Sequence, residues 1–297
     1  MNNTKKKSPI SWVPTAYFAM GLPFVVLNMV TVLMFKGLEV DDKLITFWTS
    51  LILLPWTLKP LWSPFLELFR TKKFFVIVTQ LITGITFGLV AFALNLSHFF
   101  SISIALLAIV AFSGATHDIA CDGVYMSELS NEDQARFIGW QGAFYNIAKI
   151  LATGGLVYLA GYFIELNADA GLLTANKRAW MIILLILSVT MILLGIYHLF
   201  ALPSTQSASS RKTLRSNKEV MKELGQVLMD FFRKTHITYY ICFIILYRFA
   251  EGFVMKIVPL FLKADREMGG LGLNEKEIGL YYGTYGAAAF VLGSLLA

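Results

Sequence analysis

Residues 99–123 read FFSISIALLAIVAFSGATHDIACDG, an apolar run in which no acidic or basic side chain other than one histidine precedes Asp118. About 20 mostly apolar residues are enough for a helix that crosses a bilayer, and this run is that long. A charged side chain is costly at such a depth in the bilayer. It is therefore expected to have a partner, a watery cavity or a function. The run therefore predicts a transmembrane helix whose end carries a pair of carboxylates, Asp118 and Asp122.

The composition identifies lipid as the main solvent of the chain and excludes a soluble globular protein. The 297 residues are 57% hydrophobic and only 15% charged, with a mean hydropathy of +0.65, whereas soluble chains carry about 25% charged residues. The net charge of +6 is spread over the segments between apolar runs, so no nucleic-acid partner is expected. Cys121 and Cys242 lie far apart, which excludes a disulfide framework and a four-ligand zinc site, and no other metal site is expected.

Eight apolar runs are long enough to span a bilayer, which predicts an all-α polytopic membrane protein. Lys5, Lys6 and Lys7 directly precede the first run. With these lysines on the cytoplasmic side, the inside segments carry about twice as many Lys and Arg residues as the outside segments, so the N-terminus is predicted to be cytoplasmic. The runs extend from Ser11 to Phe35, Leu44 to Phe65, Phe74 to Leu94, Phe99 to Ala120, Phe137 to Phe163, Trp180 to Leu202, Ile237 to Leu262 and Ile278 to Ala297.

A polar linker divides the chain after the sixth run. Residues 204–210 read STQSASS, a flexible composition. Beyond it, the spacing of apolar residues predicts an amphipathic helix that lies on the inner membrane surface or packs on the protein itself. These features predict a six-helix transmembrane bundle at 1–202, a cytoplasmic linker at 203–236 and two further helices at 237–297.

The two aspartates are the first candidates for chemistry. Asp118 and Asp122 are four residues apart, which places both on one face of a helix. Two neighbouring carboxylates favour a shared proton, and a carboxylate that can load and release a proton is what proton-coupled transport requires. The alternative is structural, in which the pair binds basic residues of the inner loops or caps the helix.

A polar stripe in the fifth run is the second candidate. Lys149 lies in mid-span, and Gln141, Tyr145 and Asn146 share its helix face at spacings of three and four. A lysine among hydrogen-bonding groups suits an anionic or sugar-like substrate. The alternative is an internal ion pair with Asp118 or Glu251.

The seventh run carries three charged residues. Arg248 and Glu251 are three residues apart, the spacing of an intrahelical ion pair. Lys256 lies eight residues beyond Arg248 and is expected to face the same cavity.

Four stretches of the chain together resemble the AmpG-type muropeptide permeases, in the peptide and acetyl-coenzyme A transporter branch of the major facilitator superfamily. The likeness extends along the whole chain. Two departures concern His117, where the family usually has Gln, and Glu67, where it has Asp. The stretches are LPWTLKPLWSP at 54–64, ATHDIACDG at 115–123, LYRFAE at 246–251, and GLGL at 270–273 followed by EIGLYYG at 277–283.

The resemblance implies the major facilitator fold, with about eight of twelve transmembrane helices present, so we expect the chain to be a truncated product. It also implies a monomeric bacterial inner-membrane importer of N-acetylglucosaminyl-anhydro-N-acetylmuramyl peptides, driven by the proton gradient without a cofactor. The alternatives are a transporter of another anionic solute and a non-transporting truncated membrane protein. An enzyme is not expected, because neither a phosphate-binding loop nor a catalytic cluster is found.

The resemblance and the polar residues together assign roles to fourteen positions. Asp118 and Asp122 match the two aspartates of the family's motif. The candidate proton-coupling residues are Asp118, Asp122 and Glu251; the candidate substrate-binding residues are Lys149, Asn146, Tyr145, Gln141, Arg248 and Lys256; and the motif or gating residues are Lys59, Trp56, His117, Glu67 and Arg70.

Overall fold

Every regular element among the described residues of the computed structural model is a helix. Glu67 and Arg70 lie outside the described residues, as does most of the predicted linker, so its amphipathic helix stays a prediction. The described residues are 7–63, 66, 71–203, 222, 225–226, 229–230, 232–286 and 289, without the side chains of residues 244, 248, 250 and 251.

Six helices in the described part of the chain are long and apolar enough to cross a membrane, and they coincide with the first six predicted spans. A seventh helix of 27 residues covers the predicted seventh span, and its crossing of the membrane stays a prediction. The eighth starts with one α-helical turn and continues as a π-helix. The bounds are α1 Pro9–Gly37, α2 Asp42–Leu61, α3 Lys72–Ala93, α4 Phe99–Glu128, α5 Asn131–Leu166, α6 Leu172–Ala201, α7 Ile237–Lys263, and α8 Glu275–Ile278 with Gly279–Tyr285.

Polar side chains fix where four of these helices begin. Asp41, Thr71 and Ser130 each accept a hydrogen bond from a backbone N–H in the first turn of the helix that follows. Asn274 forms a reciprocal capping box with Glu277 at the start of α8. Because the first N–H groups of a helix have no partner within it, these caps stabilise each start by about 1 kcal/mol.

Prolines make α2 irregular where it carries its polar residues. The helix is α-helical over Asp42–Leu51, resumes at Leu54–Leu58 and ends in a 3₁₀ turn at Lys59–Leu61. Pro55 and Pro60 each stand at the start of one of the later segments, where the missing N–H does no harm. Trp56 and Lys59 are therefore held on short helical pieces rather than on one rigid rod.

The core lies around α1 and between α3, α4 and α6. α1 is buried along most of its length, whereas α2 lies mainly at the surface. α3 packs along both α4 and α6, and the first half of α1 packs against α5 and α4. Trp56 and Lys59 of α2 meet Asp118 of α4 at one side of this core.

The second set of helices joins the first set near one end only. We call the end that contains Pro9 the N-terminal end and the end with the turn at Glu39 the opposite end. The main contacts of α7 and α8 with the first set involve residues 26–37, 42–51 and 151–166, all toward the opposite end. The half of α5 nearer the N-terminal end is mostly exposed, and a side chain at Gly142 would meet nothing within 4 Å.

One boundary differs from the sequence prediction in a way that matters for the site. The fourth span was predicted to end at Ala120, but α4 continues to Glu128. The helix is longer than the apolar run, because the polar residues after the run continue the helical hydrogen bonding. Asp118 and Asp122 therefore lie inside a helix rather than at its end, and the predicted role as a helix cap is wrong.

Candidate functional site

Asp118 is the centre of a buried polar cluster between α2 and α4. Its Oδ2 accepts a hydrogen bond from Lys59 Nζ at 2.6 Å and another from Trp56 Nε1 at 2.9 Å. Its Oδ1 is buried and has no hydrogen-bond partner among the described residues. Both donors come from the irregular end of α2, so one carboxylate oxygen holds that end of α2 to α4.

A glycine lets the indole of Trp56 reach this carboxylate. A Cβ at Gly114, one turn before Asp118, would come within 2.9 Å of the Trp56 ring. Phe24 of α1 packs edge-on against the same ring, with 5.4 Å between centroids. The indole is therefore fixed by α1 and α4 together, which orients its N–H toward Asp118.

Asp122 has a different environment from Asp118. Its carboxylate accepts a hydrogen bond from Tyr17 Oη of α1 at 2.8 Å, and the residue is exposed. Tyr125 packs edge-on against the Tyr17 ring. One turn of α4 thus carries a buried carboxylate paired with α2 and an accessible carboxylate bonded to α1.

His117 belongs to a buried chain of hydrogen bonds that crosses four helices. Gln80 Nε2 lies 2.9 Å from His117 Nε2, and Gln80 Oε1 lies 2.9 Å from His198 Nδ1. His198 Nε2 lies 2.9 Å from Thr15 Oγ1. In this arrangement the Gln80 amide donates to His117 and accepts from His198, so α1, α3, α4 and α6 are linked through side chains.

Lys149 lies on α5 without a carboxylate partner among the described side chains. Its ammonium lies 5.9 Å from the centroid of the Tyr145 ring, and Asp118 pairs with Lys59 rather than with Lys149. Gln141 is partly exposed and Asn146 is exposed, with the Asn146 amide donating to Gly142 O of its own helix. The structure therefore brings Lys149 and Tyr145 together and leaves this stripe accessible.

Lys256 is the one predicted binding residue that is buried against the first set of helices in the described structure. Only 6% of its surface is exposed. Its Nζ donates to the backbone carbonyls of Asn28 in α1, at 3.4 Å, and Thr49 in α2, at 3.3 Å. Lys256 therefore does not share the accessible stripe of Lys149.

At the opposite end the two sets of helices are joined by close packing and by an ion pair. Lys276 of α8 donates to Glu165 of α5 at 2.6 Å, and Lys263 pairs with the buried Glu275. A Cβ at Gly283 would meet the backbone of Gly154 in α5. Since small residues on both helices allow this approach, the two sets are in backbone contact here.

Several predicted site residues lie outside this description. Glu67 and Arg70 are not among the described residues, and the side chains of Arg248 and Glu251 are not described either. Their predicted roles stay predictions. Within the described part of the chain, no group of three His, Cys, Asp or Glu side chains could hold a metal ion.

Several side chains that orient the predicted residues carry no signal that a search for charged residues detects. Gln80 and His198 stand in apolar runs and carry no formal charge, so a search for charged residues passes over them. A buried amide in such a run needs hydrogen-bond partners, and that signal could have identified Gln80. Tyr17 could not have been found, because its pairing with Asp122 depends on how α1 packs on α4.

Comparison with known proteins identifies the family of this arrangement. The sequence profile of the Major Facilitator Superfamily matches residues 15–297. No curated protein and no solved structure matches the chain. Proteins of this superfamily are membrane transporters rather than enzymes, and the six long apolar helices are those of a multi-pass membrane protein. The chain therefore belongs to the Major Facilitator Superfamily of membrane secondary transporters.

Proposed function

We propose that this chain imports anionic sugar-peptides of the muropeptide class across the bacterial inner membrane, driven by the proton gradient. The superfamily supports secondary transport in general. The muropeptide substrate is supported by the four stretches that resemble the muropeptide permeases. Proton coupling is supported by the geometry of Asp118, and its steps follow from the residues around it.

The observation that carries the proposal is that both donors to Asp118 come from α2 and bind the same oxygen. A proton that binds this carboxylate removes the negative charge that holds Lys59. The end of α2 then loses its ion pair with α4, and Pro60 beside Lys59 leaves that end free of a continuous helical ladder. Protonation of Asp118 is thereby linked to a movement of α2.

Asp122 is the residue through which protons reach Asp118. It is exposed, one helical turn nearer the N-terminal end than the buried Asp118. A carboxylate in contact with water exchanges protons readily, whereas the buried carboxylate of Asp118 has little contact with water. We therefore assign proton capture to Asp122 and coupling to Asp118, with Glu251 as a further candidate whose side chain lies outside the described structure.

The accessible stripe on α5 is the proposed substrate surface. Lys149 carries a positive charge that no described carboxylate neutralises, and Gln141, Tyr145 and Asn146 supply hydrogen-bonding groups around it. A muropeptide carries carboxylates and many hydroxyl groups, so it matches both features. With the predicted cytoplasmic N-terminus, the stripe faces the cytoplasm while the opposite end is closed, which is the release state of an importer.

Uptake of labelled N-acetylglucosaminyl-anhydro-N-acetylmuramyl tripeptide by cells that express the chain tests this proposal. We expect uptake that an uncoupler abolishes and that excess neutral N,N′-diacetylchitobiose does not inhibit. Asp169→Asn, at an exposed carboxylate of the opposite end, is the matched control and keeps full uptake. Binding of the peptide without uptake would contradict transport, and uncoupler-resistant uptake would contradict proton coupling.

A further inference from the structure

Three lysines near the opposite end form ion pairs, whereas the one fully buried lysine of the described residues does not. Lys36 pairs with Asp42 at 2.8 Å. The two other paired lysines, Lys263 and Lys276, bind Glu275 and Glu165. Lys256 lies toward the same end, is almost fully buried, and has no described carboxylate within ion-pair distance.

The two contacts of Lys256 are weak substitutes for a carboxylate. The two partners are backbone carbonyl oxygens that lie 3.3 and 3.4 Å from Nζ. Both distances are longer than a typical charge-assisted hydrogen bond, which is about 2.8 Å. An ammonium ion out of water costs several kcal/mol unless a good partner compensates it. Lys256 therefore raises the free energy of the conformation seen here.

The burial of Lys256 depends on how the two sets of helices are joined. Lys256 belongs to α7, whereas its carbonyl partners belong to α1 and α2. Pro259, three residues further along α7, interrupts the hydrogen bonding of the helix close to Lys256. If α7 separates from α1 and α2 at the opposite end, the ammonium loses both carbonyls and meets water or a ligand.

We propose that Lys256 is an anion-binding residue of the state that is open at the opposite end, and that the carbonyls of Asn28 and Thr49 take the place of the anion when this end closes. A substrate carboxylate is a stronger partner for the ammonium than two long carbonyl contacts. Closure therefore requires that the carboxylate leaves Lys256 first. The inference rests on the proposed function in one respect, namely that the substrate is anionic.

If Lys256 has this role, Lys256→Met stabilises the closed opposite end but weakens substrate binding. Replacing a buried charge by an apolar side chain of similar shape often stabilises the buried state, so Lys256→Met favours the closed opposite end. The same substitution removes the partner of the substrate carboxylate. A purely structural lysine would act differently, because its loss would open the closed end.

Thiol labelling in nanodiscs measures the first effect without any substrate. Thr49→Cys, at a fully buried position of α2, is introduced with Cys121→Ala and Cys242→Ser, and its reaction with a water-soluble maleimide reports opening. We expect Lys256→Met to slow labelling about tenfold, while Lys43→Met, at an exposed lysine of α2, leaves the rate unchanged. Faster or unchanged labelling in Lys256→Met would overturn the proposal.

Equilibrium binding of the labelled muropeptide tripeptide measures the second effect. We expect Lys256→Met to weaken binding at least about tenfold, and native affinity in this variant would overturn the anion-binding role. Lys256→Gln, which keeps donors for both carbonyls, is the second variant and changes both readouts in the same directions. A native chain that does not bind the tripeptide would overturn the proposed function, whereas the labelling rates judge Lys256 separately.

Discussion

Lys59 of α2 and Asp118 of α4 form an ion pair with 2.6 Å between Nζ and Oδ2. The carboxylate side chain is 11% exposed and the lysine side chain is 27% exposed, so the two partners differ in how well each could be hydrated alone. This asymmetry decides which of the two charges the protein tolerates without its partner.

Removing the lysine is expected to destabilise the protein more than removing the aspartate. Lys59→Met strands a buried carboxylate and lowers the free energy of unfolding by about 3 kcal/mol. Asp118→Asn leaves the more exposed ammonium, which can be hydrated, and keeps an acceptor for Trp56. Unfolding curves in detergent check the order of the two variants.

The double variant Lys59→Met with Asp118→Asn is the control for this pair. It leaves neither charge of the pair unpaired. Its free energy of unfolding should therefore be closer to the native value than the free energy of unfolding of Lys59→Met is. A larger loss in Asp118→Asn than in Lys59→Met would contradict the asymmetry.

The contact between Gly283 and Gly154 is expected to be essential for closing the opposite end. Gly283→Ala places a methyl group against the backbone of α5, and backbone cannot rotate away as a side chain can. We expect labelling of the Thr49→Cys thiol to become at least about tenfold faster, because overpacking of this kind costs about 1–3 kcal/mol. The labelling assay described above measures this change.

Gly142→Ala is the matched control for this prediction. The position is open, with nothing within 4 Å of an added Cβ, so the thiol should react at the native rate. Alanine should also stabilise α5 by about 1 kcal/mol, because it loses less backbone entropy in a helix than glycine. Equal acceleration by both alanines would show that the close approach of Gly283 does not matter.

His117 is expected to tolerate an amide better than an apolar side chain. His117→Leu leaves the buried Gln80 amide without its acceptor and lowers the free energy of unfolding by about 1–3 kcal/mol. His117→Gln, the residue usual in the family that the chain resembles, keeps an acceptor for Gln80. Thermal unfolding of both variants in detergent checks this prediction. Equal losses of stability in the two variants would show that the hydrogen bond does not contribute to stability.

Lys149 is expected to contribute to substrate binding rather than to the rate of the transport cycle. Lys149→Gln removes the charge but keeps a hydrogen-bonding group, so KM for the muropeptide should rise about tenfold with little change in the maximal rate. Initial uptake rates over a range of concentrations give both constants. Lys43→Gln, at an exposed lysine, should leave both unchanged, and a lowered maximal rate at native KM would contradict this role for Lys149.

The helices themselves could be predicted because lipid imposes a simple rule on length and polarity. The first six apolar runs correspond to α1–α6, and the family was implied by motifs such as residues 54–64. The end of α4 was placed too early, since the helix continues through polar residues to Glu128. An apolar run shows where a helix meets lipid but not where its hydrogen bonding stops.

The pairing of the site residues could not be predicted from one sequence. Lys59 and Asp118 were both predicted to be site residues, yet their partnership depends on how α2 lies against α4, which the spacing of residues does not encode. Lys256 was expected to face the same cavity as Arg248, eight residues before it, and was grouped with Lys149 as a candidate substrate-binding residue. The structure separates them, because Lys256 is buried by α1 and α2 near the opposite end while Lys149 stays accessible.

Asp118 is proposed to couple substrate movement to the proton gradient. Proteoliposomes that contain the native chain or Asp118→Asn allow two measurements with the labelled muropeptide tripeptide, namely accumulation driven by an imposed pH gradient and exchange across a membrane without a gradient. We expect Asp118→Asn to lose the accumulation that the pH gradient drives and to keep exchange. Accumulation by Asp118→Asn at the native level would contradict this role.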